Sequence, residues 1–408
     1  MVLNTGSKKT RTLIVWFFSI TYMISYVTRI NYGAIISEIE NSTGFSRTLL
    51  SMALTGSFIT YGFGQIISGM LGDKFPPAKL ICCGFLITSL INFLIPLCNT
   101  PQQMTILWSV NGFSQSLMWP PLVRLMTSLL SADEYKKATV VVSWGSSFGT
   151  ILVYLISPLL ISITGWKSVF ISSASLGVIL CAIWFFFPNI SNKDITTDKK
   201  DSQSKGSVFR VLSPVMYGIF VAIILQGMLR DGVTTWMPSY IADTYNLGTG
   251  ISILTGVILP IFSIFCFNLA SFVYRKFITN PVLCAAAFFG FGTLSAIVLM
   301  FSTGNSAILS VLFSAILTGS MHSINLLLIC MIPPFFSKTG KVSTISGIIN
   351  SCTYIGSAIS TYGIAVISQH FGWSITLLTW TAIAALGTIF CLVCAKPWKN
   401  KIQDNTNF

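Results

Sequence analysis

The sequence predicts an all-α membrane protein of twelve transmembrane helices, arranged as two six-helix halves. Three observations predict it. Of 408 residues, 53% are hydrophobic and only 9% charged, with a mean hydropathy of +0.77. Soluble domains carry about 25% charged residues, so a soluble fold is excluded. A membrane helix needs about 20 mostly apolar residues, and twelve such runs follow one another along the chain. The one long polar stretch, residues 188–208, falls near the middle.

The first half, 1–187, carries predicted spans at 12–37, 49–72, 79–98, 102–127, 137–162 and 168–187. Lys8, Lys9 and Arg11 before the first run resemble a signal-peptide start. The run is too long and lacks a small-residue cleavage site, so it is read as a retained helix. Residues 188–208, NISNKDITTDKKDSQSKGSVF, read as a flexible cytoplasmic linker. The second half, 209–408, carries spans at 211–236, 249–274, 281–301, 305–332, 342–368 and 373–395.

The net charge of +13 follows from topology rather than from nucleic-acid binding. With both termini cytoplasmic in a cell membrane, all but five of the 24 Lys and Arg residues lie on the inner side. The exceptions are Arg124 near an inner helix end, Arg47 and Lys167 outside, and Arg29 and Arg230 within the membrane. The ten cysteines are scattered, and the Cys391-x-x-Cys394 pair in an apolar helix reads as packing. Asn41-Ser42-Thr43 forms a glycosylation sequon on an expected outward loop, meaningful only in a secretory-pathway host.

The halves echo each other. Lys74-Phe75 has its counterpart in Lys276-Phe277, Gly149 in Gly356, and Pro120-Pro121 in Pro333-Pro334. Duplicated halves related by a pseudo-two-fold axis place a substrate site near the midplane. Small residues such as Gly69, Gly72, Gly145, Gly149, Gly347 and Gly356 mark close helix contacts.

Arg29 and Arg230, 201 positions apart, each fall in the first span of a half. A charge at bilayer depth costs roughly 2.5–3.5 kcal/mol even on insertion scales, which makes each a functional candidate. A planar guanidinium matches phosphate or carboxylate oxygens bidentately, so the expected ligand is an anion. Asp231 is not expected to neutralise Arg230, because adjacent helical residues do not face each other.

Gly69-x-x-Gly72-Asp73-Lys74 resembles the G-x-x-x-D-[RK] loop signature of the major facilitator superfamily. Asp73 and Lys74 are therefore gating candidates, with Asp73 expected to cap a helix end or pair with a basic residue. A longer series follows: Tyr22-x3-Tyr26-x2-Arg29, GFSR at 44–47, YGFGQ at 61–65, and Gly112-x2-Gln115-x3-Trp119-Pro120-Pro121-x2-Arg124. Leu229-Arg230-x4-Thr235-Trp236-x-Pro238 and Phe371-Gly372-Trp373 complete it. The series resembles the organophosphate:phosphate antiporter family. The resemblance implies the major facilitator fold, and phosphate binding by Arg29 and Arg230. Where the family carries a helix-two lysine this chain has Gln65, and Ser146 stands for a helix-five histidine. The organic part of the substrate stays open.

His322 has three readings: substrate contact, proton coupling, or a core hydrogen bond to Asn325. Tyr22, Tyr26, Gln115, Ser147, Trp236, Asn350 and Tyr354 are further candidates to line a cavity. The expected activity is exchange of a sugar phosphate or other organophosphate for inorganic phosphate by a monomer in the bilayer. Alternatives are a proton-coupled symporter of organic carboxylates and a transporter-like sensor of a phosphorylated metabolite. No metal cluster, nucleophile triad or phosphate loop points to an enzyme, and no cofactor is implied.

Overall fold

The computed structural model describes residues 8–45, 47–186, 213–246 and 249–406. The expected linker at 188–208 lies outside the described residues. Every regular element among the described residues is helical. In the first half these are α1 (Lys8–Ala34), α2 (Ile36–Thr43), α3 (Arg47–Lys74), α4 (Pro77–Leu94), α5 (Pro101–Ser116), α6 (Trp119–Leu129), α7 (Ala132–Thr164) and α8 (Lys167–Phe186). In the second they are α9 (Pro214–Tyr245), α10 (Thr249–Lys276), α11 (Pro281–Ser302), α12 (Ala307–Ile324) and α13 (Val342–Thr406).

Among the described residues, nine helical segments are long and apolar enough to cross a membrane. The other three expected spans, 49–72, 102–127 and 342–368, are also helical. They fall in α3, in α5 with α6, and in the first part of α13, which are richer in small and polar residues. The sequon sits in the short helix α2, with Asn41 exposed, rather than in an irregular loop.

Helix interruptions follow from particular residues. α5 gives way to α6 at Leu117–Met118, and Pro120-Pro121, which lack N–H groups, open the new helix. The Pro333-Pro334 echo occupies an equivalent break: α12 runs into a π-helical turn, Asn325–Cys330, and a 3₁₀ segment starts at Pro333. α13 is two helices joined at Gly372, whose φ of 76° favours glycine. α7 starts on a capping box, with Ser131 and Glu134 satisfying each other's backbone amides. Arg11 Nε donates to Glu134 Oε1 at 2.8 Å.

The chain groups into two compact units: Met1–Ser204 with Phe336–Ser351, and Lys205–Phe335 with Cys352–Phe408. In the first unit α1 lies along α7, α3 along α5, and α4 along α8. Lipid supplies no hydrophobic drive between helices, so close contact rests on small residues and hydrogen bonds. A Cβ at Gly145 would meet Ser19 O at 2.4 Å, and one at Gly149 would meet Met23 O at 2.6 Å. Beside these contacts runs a buried amide and hydroxyl network. Asn31 Nδ2 donates to Asn92 Oδ1 (2.8 Å), while Asn92 Nδ2 (3.1 Å) and Asn111 Nδ2 (3.2 Å) donate to Thr28 O.

In the second unit α12 packs on α9, α10 and α11. α9 and the start of the Cys352–Phe408 segment touch backbone to backbone. A Cβ at Gly227 would lie 2.1 Å from Thr353 O, and one at Gly356 would lie 2.0 Å from Ile224 O. Cys394 Sγ fills the space a Cβ at Gly218 would take, at 2.3 Å, and both Cys391 and Cys394 are buried thiols. The packing reading of that pair therefore describes what it does.

Candidate functional site

Arg29 lies in the first unit, near the C-terminal end of α1, and is half-buried. Its guanidinium carbon sits 4.1 Å from the Tyr26 ring centroid and 4.8 Å from that of Tyr61. Cation–π contacts of this kind gain about 2 kcal/mol or more when desolvated. Tyr26 meets Tyr22 edge-on at 5.1 Å, and Tyr22 packs on Trp119 at 4.8 Å. The spacing 22, 26, 29 places the three side chains on one face of α1. Tyr61 and Trp119 belong to the YGFGQ and Trp-Pro-Pro-x-x-Arg motifs, and an aromatic residue near an intramembrane cation is the sequence signal for such a partner.

Arg230 lies on α9 in the second unit and is also half-buried. Contrary to expectation, Asp231 does pair with it. Arg230 Nε donates to Asp231 Oδ1 at 2.7 Å, and Nη2 donates to Oδ2 at 2.8 Å. The spacing argument fails because it concerns Cβ directions. Arginine's three-methylene stem lets the guanidinium curl back to its neighbour, and low dielectric rewards the pairing. Arg230 Nη1 donates to Asn325 Oδ1 at 3.2 Å, and the guanidinium faces the Tyr354 ring at 5.9 Å. The Ser357 hydroxyl donates to Asp231 Oδ2.

The other candidates divide. Asn325 begins the π-helical turn and gives its side-chain oxygen to Arg230 rather than to His322. His322 meets Phe267 edge-on at 5.6 Å. Trp236 is half-buried, with an indole N–H that has no hydrogen-bond partner among the described residues. Gln65 and Asn350 come together in the first unit: Asn350 Nδ2 donates to Gln65 Oε1 at 3.1 Å. Ser146 donates its hydroxyl back to Ser143 O at 2.7 Å, within its own helix. Gln115 is buried, and its Nε2 donates to Thr28 Oγ1 (2.8 Å) and Thr88 Oγ1 (2.9 Å), which makes it part of the polar network.

Asp73 caps the start of α13. Its Oδ1 accepts from the Ser343 N–H at 2.9 Å and its Oδ2 from the Thr344 N–H at 2.8 Å, across 270 positions of sequence. These are first-turn amides, which lack intrahelical partners and sit at the positive end of the dipole. Arg124 of the Trp-Pro-Pro-x-x-Arg motif donates to Gly72 O and to Phe75 O, holding the end of α3. Lys74, one residue on, is exposed, and the junction is made by Asp73 and Arg124.

A family model described as Major Facilitator Superfamily matches residues 18–361. The chain belongs to the major facilitator superfamily. This major facilitator chain is 23% identical over 410 residues to a probable hexose phosphate transport protein of Chlamydia muridarum, covering 91% of this chain and 88% of the relative. It is 24% identical over 270 residues to a glycerol-3-phosphate transporter of Bacillus subtilis, covering 59% and 60%. These relatives agree with the organophosphate-transporter resemblance. The solved structure of a proton:xylose symporter superposes with a TM-score of 0.73 at 12% identity, covering 94% of each chain, and so shares the fold. The protein is thus a multi-pass membrane transporter of this superfamily and not an enzyme.

Proposed function

We propose that this transporter carries a small organic anion, a sugar phosphate or other organophosphate, and exchanges it for inorganic phosphate by alternating access. The observation that carries the reading is Arg29, a membrane-embedded guanidinium set on the faces of Tyr26 and Tyr61. An anion at about 4 Å in an effective dielectric near 20 gains roughly 4 kcal/mol from one such charge. Arg230 supplies the second guanidinium, and the relatives named for hexose phosphate and glycerol 3-phosphate support the phosphoryl group as ligand.

In this reading 1–187 and 209–408 are duplicated halves joined by 188–208, with both termini on the cytoplasmic side of the cell membrane. Asp73 acts as a releasable latch through its helix cap. Proteoliposomes loaded with inorganic phosphate should take up external hexose 6-phosphate in exchange. Sustained net efflux of phosphate into ligand-free buffer would overturn the exchange model.

One observation favours a second reading. Arg230 already holds a carboxylate in bidentate geometry, that of Asp231, so an organic carboxylate also suits this guanidinium. A proton-coupled carboxylate symporter would accumulate a sugar acid in vesicles under an imposed pH gradient, with no phosphate inside.

A further inference from the structure

The Arg230 fork is occupied by its own chain. Nε and Nη2, the edge that reads two oxygens of a ligand, both point to Asp231, and Nη1 points to Asn325. The carboxylate is itself anchored by the Ser357 hydroxyl. An incoming anion has two routes: it displaces Asp231, or it shares the guanidinium with it. On either route the carboxylate stays close, because it belongs to the next residue on α9 and Ser357 retains it. The ligand's charge therefore acts against a fixed negative charge as well as towards Arg230.

Resting on the organophosphate reading and deepening it, we propose that Asp231 is an internal counter-anion of Arg230 that sets ligand valence. It favours a singly charged head group over a doubly charged one. Phosphate monoesters have a second pKa of about 6, so both charge states are present near neutral pH and the choice is real. Ser357 positions the carboxylate, and Asn325, carried on the π-helical turn, fixes the remaining edge of the guanidinium.

The test compares hexose 6-phosphate with hexose 6-sulfate at pH 8, two esters of one sugar that differ by one charge. Binding to the full chain in detergent is followed by thermal shift. Asp231→Asn should raise the preference for phosphate over sulfate by about tenfold or more, since even a screened unit charge at close range exceeds RT several-fold. Asp231→Glu should return the ratio towards that of the parent. An unchanged ratio in Asp231→Asn, with both esters still binding, overturns the inference and leaves the organophosphate reading standing. Inorganic sulfate and perchlorate, tetrahedral anions of charge two and one, separate the opposite failure. If neither sugar ester binds but Asp231→Asn still shifts the sulfate-to-perchlorate ratio, the organophosphate reading fails and the valence rule stands. Binding of none of the four anions overturns both. If Asp231→Asn does not fold, Ser357→Ala serves. Removing that anchor should loosen the carboxylate beside Arg230 and strengthen doubly charged ligands most, as Asp231→Asn does but by a smaller factor, and an equal change for both charges would count against the proposal.

Discussion

A guanidinium offers flat faces and a hydrogen-bonding rim, and the two membrane arginines are held differently. Arg29 lies on the faces of two tyrosines, whereas Arg230 has its rim engaged by Asp231 and Asn325. A lysine in place of Arg29 keeps the charge but loses the plane that stacks and the fork that reads two oxygens. Arg29→Lys should cut exchange in proteoliposomes by about tenfold or more, the worth of roughly 1.4 kcal/mol. Normal exchange by that variant would rule out bidentate recognition there. Gln115 makes the contrasting case. Gln115→Leu leaves Thr28 and Thr88 hydroxyls without their donor in a buried site, at a cost of about 1–3 kcal/mol. A lowered melting temperature with little change in ligand affinity is the expected result, and the reverse pattern would return Gln115 to the binding residues. Sequence reading identified both arginines because charge at bilayer depth is conspicuous. It missed the Asp231 pair and the network around Gln115, because side-chain reach and network membership depend on which helices meet.

Among elements, the contacts that matter are those where backbones touch. Gly356 on α13 lies against Ile224 O of α9, so an added methyl has no room and the helices must part. Gly356→Ala should destabilise the protein by about 1–3 kcal/mol, read as a lowered melting temperature in detergent. An unchanged melt would show slack at this crossing. The start of α7 gives a pH-dependent element. The Ser131 amide and hydroxyl hold the Glu134 carboxyl below its ordinary range, and Arg11 adds to the effect. A depressed folded value stabilises the protein above the unfolded pKa of about 4.3, and the gain disappears as pH falls through the folded value. The melting temperature of the parent should therefore drop more steeply on acidification below about pH 5 than that of Glu134→Gln. Parallel curves would show that the cap contributes nothing. Helix positions were legible from apolar runs and from proline and glycine punctuation, as at Pro120-Pro121 and Gly372. The π-helical turn at Asn325 was not, because no residue pattern marks it.

For the whole molecule, the twelve-span organisation and the superfamily followed from composition and ordered motifs. The proposed exchange depends on the charge left when the carrier is empty. Of the two membrane cations, Arg230 is already balanced by Asp231. The electrostatic barrier to an empty carrier then falls mainly on Arg29. Asp231→Asn should consequently tighten coupling, lowering the residual phosphate leak from loaded proteoliposomes relative to exchange. A leak that stays equal or rises would mean that Asp231 takes no part in the empty transition.

Asp231 is a competitor that cannot diffuse away. Because it is tethered one residue from Arg230, its effective concentration at the guanidinium is fixed by geometry and does not change with dilution. Every ligand therefore meets a handicap that dilution does not change, and one that grows with the ligand's own charge. For a carrier this has a use: release on the far side is assisted by a group that is always there to take the ligand's place, so a site can be selective without becoming a trap.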